Sequence, residues 1–160
     1  MTAPSEIIEA LRSARSVFIT THVVPDGDAI GSLLGMKLAL ERLGKHCEAG
    51  LSDPVPPSLR FLPGSAEVRS GKCGAASRYD LALVLDCGSL DRVGQFAETV
   101  EACPVSVNID HHATNTRFAL INWVDTEAAA TCQLVAELIS AMGIAYDSDI
   151  ATCLFTGLST

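Results

Sequence analysis

The sequence predicts an α/β fold, a largely parallel sheet with helices on both faces, and three observations carry that prediction. Strand-like and helix-like apolar patterns alternate along the chain, which implies right-handed βαβ crossovers. Residues 79–86 (Tyr79-Asp80-Leu81-Ala82-Leu83-Val84-Leu85-Asp86) form a nearly unbroken apolar run, as expected of a strand buried on both faces. Three predicted strands end in acids or imidazoles, at the sheet edge where open α/β folds bind their ligands. A chain of 160 residues fits one domain and can bury a real core.

Taken in order, residues 5–12 read as a short amphipathic helix with Ile7, Ile8 and Leu11 at helical spacing. Residues 17–21 are the first strand. Residues 29–43 are a helix with apolar residues around most of its circumference, so it is expected to be buried, and Gly44 ends it. His46–Leu51 is a short strand. Pro54, Pro56 and Pro57 mark a loop, with a short helix starting over 57–61. Residues 63–77 are loop with at most one short strand. After the strand at 79–86 come strands at 105–110 and 118–124. Residues 126–142 are a helix capped by Asp125 or Thr126 and stopped by Gly143, and residues 148–160 begin another.

The net charge of −8 and pI near 4.8 argue against broad electrostatic nucleic-acid binding, which needs a basic face. A small anionic substrate stays open, because bound cations reverse the sign locally. No apolar run is long enough to cross a bilayer and the polar N-terminus is no secretory signal, so no membrane partner is expected. The six cysteines lie 14 or more residues apart with no C-x-x-C, and they read as reduced core residues of a cytoplasmic protein.

The strand-to-helix turn after the first strand holds His22, Asp26 and Asp28, with Pro25 to stiffen it and Gly27 to let it be tight. It reads either as a metal-binding corner or as a capped turn with Asp28 as N-cap of the next helix. Asp86 ends the strand at 79–86, and Asp110, His111 and His112 end the strand at 105–110. In a parallel sheet these ends share one edge. Burying that many carboxylates together without cations costs on the order of several kcal/mol each. A carboxylate-rich set with imidazoles and no thiolate favours Mn²⁺ or Mg²⁺ over zinc, and Co²⁺ or Fe²⁺ also fit. Cys87 follows Asp86, but alternation points its side chain elsewhere. The ligands suffice for two metals roughly 3.5–4 Å apart, which would lower the pKa of a bridging water and clamp a phosphoryl oxygen. The expected reaction is in-line attack of hydroxide on a phosphorus ester or anhydride.

At this point the sequence resembles the DHH phosphoesterase superfamily. The matching pieces are His22-x-x-Pro25-Asp26-x-Asp28-Ala29-x-Gly31-Ser32, Val84-Leu85-Asp86-Cys87, Asp110-His111-His112 with Asn115 behind, and Phe155-Thr156-Gly157-Leu158-Ser159-Thr160. They occur in the family's order over nearly the whole chain. The leading His22 sets it apart from RecJ-type exonucleases, and the oligoribonuclease/pAp phosphatase (nanoRNase) branch is the most similar. That resemblance implies hydrolysis of short RNAs, 3′-phosphoadenosine 5′-phosphate (pAp) or linear dinucleotides, with two Mn²⁺ expected and Mg²⁺ or Co²⁺ as alternatives. It places the first metal on His22, Asp26 and Asp86, and the second on Asp28, Asp86 and His111. Asp110 orients an imidazole, His112 contacts the substrate phosphate, and Asn115 and residues 128–131 line the site.

The resemblance also has a gap. The fourth motif normally continues to an Asp ligand, and here the chain stops at Thr160, one residue short. The family's C-terminal substrate-binding domain has no counterpart. The expectation is therefore a single DHH-type catalytic domain over residues 1–160, truncated, of weak or no activity alone. Apolar surface left bare is then a route to association, a homodimer included. Two other readings remain: a family II-like inorganic pyrophosphatase, and a non-catalytic nucleotide-binding module that retains the fold.

Overall fold

The structure, a computed structural model, describes residues 2–71 and 79–160. The period-two alternation of strands sorts the apolar side chains into two cores. In β1 (Ser16–Thr20), Val17 and Ile19 join the larger core and Phe18 the smaller one. In β4 (Leu81–Leu85), Leu81, Leu83 and Leu85 lie with Val17, while Ala82 and Val84 lie with Phe18. With β2 (His46–Leu51), β3 (Arg69–Ser70), β5 (Val105–Asp110) and β6 (Ile121–Val124) they form a six-stranded parallel sheet in the order β3-β2-β1-β4-β5-β6. The predicted α/β class with helices on both faces is observed.

The winding sets the position of the site. From β1 the chain steps outward to β2 and β3, returns to β4 on the other side of β1, and steps outward again to β5 and β6. The direction reverses between β1 and β4, which is where a doubly wound sheet opens a crevice at its carboxyl edge. Thr20 is level with Val84, and Leu85 is level with Ile109. The residues that follow these three strands therefore emerge side by side.

α1 (Ser5–Ser13) buries Ile7 and Leu11 in the larger core. The same core is covered by α2 (Gly27–Arg42), α4 (Thr131–Ala141) and α5 (Ser148–Leu158). α2 is buried along most of its length, as its apolar circumference predicts. Close approach of these helices depends on two glycines. A Cβ on Gly31 would stand 2.5 Å from the Cys153 carbonyl oxygen, and one on Gly157 would stand 2.2 Å from Cys132 Sγ. The smaller core is closed by a 3₁₀ segment, Leu90–Phe96, and by α3 (Ala97–Ala102). No element is predicted there from sequence. In this layer the Phe18 ring packs tilted against Tyr79 and Phe96, with centroids 5.3 Å and 5.2 Å apart.

Several boundaries differ from the sequence expectation. The strand expected over 79–86 is Leu81–Leu85, because Asp80 turns its carboxylate onto the Arg15 and Ser16 amides and Asp86 leaves the strand at φ 53°. The helix expected over 126–142 starts only at Thr131. Asp125 accepts from Glu127 N at 3.0 Å and so closes a turn instead of capping a helix, and Ala130 is extended. In the 63–77 stretch, Ser65–Glu67 is a 3₁₀ turn and Arg69–Ser70 the short strand, while residues 72–77 lie outside the described residues. Cys47, Cys87, Cys132 and Cys153 are buried free thiols, Cys103 is buried, and Cys73 lies outside the described residues. Among the described residues no helix is long and apolar enough to cross a membrane.

Candidate metal centre

The turn after β1 is held by two other loops. Val23 N donates to the Arg92 carbonyl at 2.7 Å, and Val24 N donates to Asp53 Oδ2 at 2.7 Å. Val24 sits at φ 53°, a left-handed conformation that a β-branched residue rarely adopts, with its side chain exposed. The turn brings the Val23 carbonyl onto His22 Nδ1 at 2.7 Å. A carbonyl can only accept, so Nδ1 carries a proton, and Nε2 is left to offer a lone pair to a cation or, when protonated, a hydrogen to Asp86. Nε2 faces Asp86 Oδ2 at 3.5 Å. His22, Asp26 and Asp86 each bring one ligand atom within 4.8 Å of the others.

The cap of α2 is Asp26, whose Oδ1 accepts from Ala29 N at 3.0 Å. The reading of Asp28 as that cap is corrected. Asp28 lies one turn in and serves another helix: Oδ2 accepts from Thr131 N at 2.7 Å and Oδ1 from Cys132 N at 2.8 Å. It thus satisfies the exposed donors at the start of α4, where Ala130 offers no side-chain acceptor. Thr131 then gives its hydroxyl to Asp86 Oδ1 at 2.9 Å, so α4 holds both carboxylates.

His111 repeats the arrangement of His22 on the opposite side. Its Nδ1 meets the Ala128 carbonyl at 3.2 Å, and its Nε2 stands 3.7 Å from both Asp28 Oδ2 and Asp86 Oδ1. Asp86 therefore turns one oxygen to His22 and the other to His111. His112 Nδ1 bonds Asp110 Oδ1 at 2.7 Å and lies 3.8 Å from Asp86 Oδ1, and its ring is exposed; Asp86, His111 and His112 also each bring one ligand atom within 4.8 Å of the others. Asn115 donates its amide to Asp110 Oδ2 at 2.6 Å and to Asn108 Oδ1 at 2.8 Å, and accepts Arg117 N at 2.6 Å. Its polar atoms are thus occupied by protein partners, and it braces Asp110. Cys87 points into the smaller core, where burial pushes its thiol up to about 11.

All eight residues expected at the site from sequence lie at this one edge. Thr131 emerges as the residue that orients Asp86, whereas the sequence marks it only as the end of a lining segment. Asp53 and Arg92, which hold the His22 turn, carry no sequence signal, because their role depends on which loops meet.

The electrostatics of the cluster are split. Burial and the neighbouring Asp86 charge raise the Asp28 carboxyl above its usual range. Burial also pushes Asp86 upward, but hydrogen bonds from His22 and Thr131 outweigh it and hold Asp86 low. The hydrogen bond with Asp86 raises His22 despite its burial. Two imidazole lone pairs aimed at shared carboxylates need positive charge between them. Divalent cations meet that need: the ligand atoms are oxygen and imidazole nitrogen, and each imidazole is oriented from behind by a carbonyl.

Residues 16–158 match the N-terminal domain of the DHH family. The chain belongs to the DHH family. Its DHH domain is similar to the bifunctional oligoribonuclease and PAP phosphatase NrnA of Thermus thermophilus, at 39% identity over 98% of this chain and 45% of that protein. It is also similar to the NrnA of Bacillus subtilis, at 26% identity over 84% of this chain and 41% of that protein. The chain thus spans less than half the length of these relatives. Among solved structures, an exopolyphosphatase-related protein from Bacteroides fragilis superimposes with a TM-score of 0.88 at 29% identity, over 96% of this chain and 48% of the other. The run that characterises the DHH domain here is Asp110-His111-His112, at the end of β5.

Proposed function

We propose that residues 1–160 act as one DHH-type catalytic domain of a cytoplasmic, divalent-cation-dependent phosphoesterase. Its substrates would be short oligoribonucleotides, pAp or linear dinucleotides. The observation that carries this reading is the pair of imidazoles, His22 and His111, whose Nε2 atoms face opposite oxygens of Asp86. His22, Asp26 and Asp86 would hold one ion, and Asp28, Asp86 and His111 a second, with Asp86 shared. The donor set favours Mn²⁺, with Mg²⁺ or Co²⁺ as alternatives. Two such ions supply a water of lowered pKa and a clamp on phosphoryl oxygens.

The chain's own groups do the rest. The Val23 and Ala128 carbonyls fix the tautomers of His22 and His111. Thr131 fixes the rotation of Asp86. Asp110 accepts from His112 Nδ1, which leaves Nε2 at the outer lip to contact a substrate phosphate. Relatives named for oligoribonuclease and PAP phosphatase activity support the substrate class.

The test is titration of the chain with Mn²⁺, followed by hydrolysis of pAp, a 5-mer RNA and pyrophosphate. About two ions per chain are expected, with uptake strongly reduced in Asp86→Ala. No uptake, or uptake indifferent to Asp86→Ala, would leave a non-catalytic module. Faster phosphate release from pyrophosphate than from pAp would favour a pyrophosphatase.

A further inference from the structure

Arg92 stands at the lip of the site with its charge unspent. Three basic side chains form ion pairs: Lys37 with Glu41 and Glu67, Arg42 with Asp147, and Arg69 with Glu48. Among the described residues Arg92 has no carboxylate at ion-pair distance, although the chain carries a net charge of −8. Its backbone is pinned. The Arg92 carbonyl accepts Val23 N at 2.7 Å, its own N–H meets the Ser89 carbonyl at 3.2 Å, and the following Val93 is fully buried. The side chain is exposed. It is thus anchored to the loop that carries His22 and Asp26, while its guanidinium remains open to a ligand.

The guanidinium meets the His22 ring at Nδ1, the nitrogen turned away from Asp86. Nη2 is 3.4 Å from Nδ1, whereas Asp86 faces Nε2 at 3.5 Å. Nδ1 already gives its proton to Val23 and has no lone pair for Arg92. The guanidinium donors are therefore unsatisfied by the ring. They approach from the Nδ1 side of the ring, whereas a phosphoryl group held at Asp86 would sit on the Nε2 side. They are placed for another phosphate further along the same ligand. An arginine fork suits a phosphate dianion, giving short, paired, charge-assisted hydrogen bonds.

We propose that Arg92 binds the second phosphate of the substrate, and so selects nucleotides or short oligonucleotides carrying two phosphates over those with one. This rests on the phosphoesterase reading above. A different role, as a mere counter-charge to the acidic cluster, makes different predictions: Arg92→Gln would then tighten Mn²⁺ and weaken every phosphate ligand alike.

The experiment uses the Mn²⁺-loaded chain and two uncleavable ligands. One is an adenosine analogue with a 3′-methylenephosphonate and a 5′-phosphate, and the other lacks the 5′-phosphate. The wild-type chain should prefer the first. Arg92→Gln should cost it about tenfold to a hundredfold in affinity. The one-phosphate ligand should stay within about twofold, since it forms no charged hydrogen bond to Arg92. Arg92→Lys, which keeps the charge and loses the fork, should fall between. The side chain is exposed and its backbone bonds survive substitution, so folding is expected in both variants. Equal loss for both ligands, a preference that persists in Arg92→Gln, or no preference in the wild type would each overturn the proposal. Failure of the wild-type chain to take up Mn²⁺ would instead overturn the phosphoesterase reading, and this proposal with it.

Discussion

α2 and α4 both begin at the candidate metal centre, and they are started in different ways. α2 opens on its own Asp26, an exposed residue that bonds Ala29 N three positions on. α4 opens on Ala130 and takes its acceptor from Asp28, 103 residues upstream and buried. One tripeptide, Asp26-Gly27-Asp28, therefore starts two helices and supplies two of the proposed ligands. Capping and ligation are not competing readings of these carboxylates. An oxygen that accepts an N–H still has a lone pair for a cation.

The sharpest way to break this comparison is to remove each cap in turn. With metal chelated, Asp28→Ala is predicted to destabilise the fold by roughly 2 kcal/mol or more, since it strands two buried N–H groups. Asp26→Ala is predicted to cost about 1 kcal/mol, an exposed cap. Urea denaturation in EDTA measures both, and the reverse order would show that α4 does not depend on its distant acceptor.

A smaller effect is expected at Thr131. Thr131→Val keeps the shape of the side chain and removes the hydroxyl bonded to Asp86. It should cost about 1 kcal/mol and weaken Mn²⁺ by about tenfold, with Thr131→Ser restoring both. Unchanged Mn²⁺ affinity in calorimetry would mean that Asp86 is oriented without α4.

At the other end of the comparison, the entry to α2 carries backbone strain at Val24. Val24→Asn is predicted to stabilise the chain by up to about 1 kcal/mol, because asparagine tolerates the left-handed region and the exposed valine side chain contributes little burial. A lower melting temperature would indicate that the valine side chain is needed where it stands.

The smallest expected signal is a pH slope. His22 is raised above its ordinary value of 6.5 by Asp86. In the metal-free chain this pairing stabilises fully below 6.5, and the stabilisation is lost as pH rises through the raised folded value. Denaturation in EDTA on both sides of that value should show stability falling with pH. A rise across the window would mean that His22 is neutral throughout.

Much of the fold was legible because it depends on short-range regularities. The apolar run of β4 and the spacing of α2 are periodic, and a periodic pattern has few ways to be buried. β2 and β5 have the predicted ends. The candidate ligands were legible too, since each lies at or just beyond the carboxyl end of a strand. The start of α4 was not, because Ala128, Ala129 and Ala130 favour helix locally and only contact with α2 decides where its first N–H groups go. The layer from Leu90 to Ala102 was missed for a related reason. It is a short 3₁₀ segment broken at Gly94 with a six-residue helix behind it, too brief to show a period.

The sequence by itself determined the alternation of strands and helices, the family motifs and the chemical character of the edge, because these are properties of neighbouring residues. Only the tertiary structure decided that Asp28 serves α4, that Thr131 turns Asp86, and that Arg92 meets His22 at the nitrogen turned away from Asp86. Each of these is a meeting of loops far apart in the chain, and such meetings are set by the packing of whole elements.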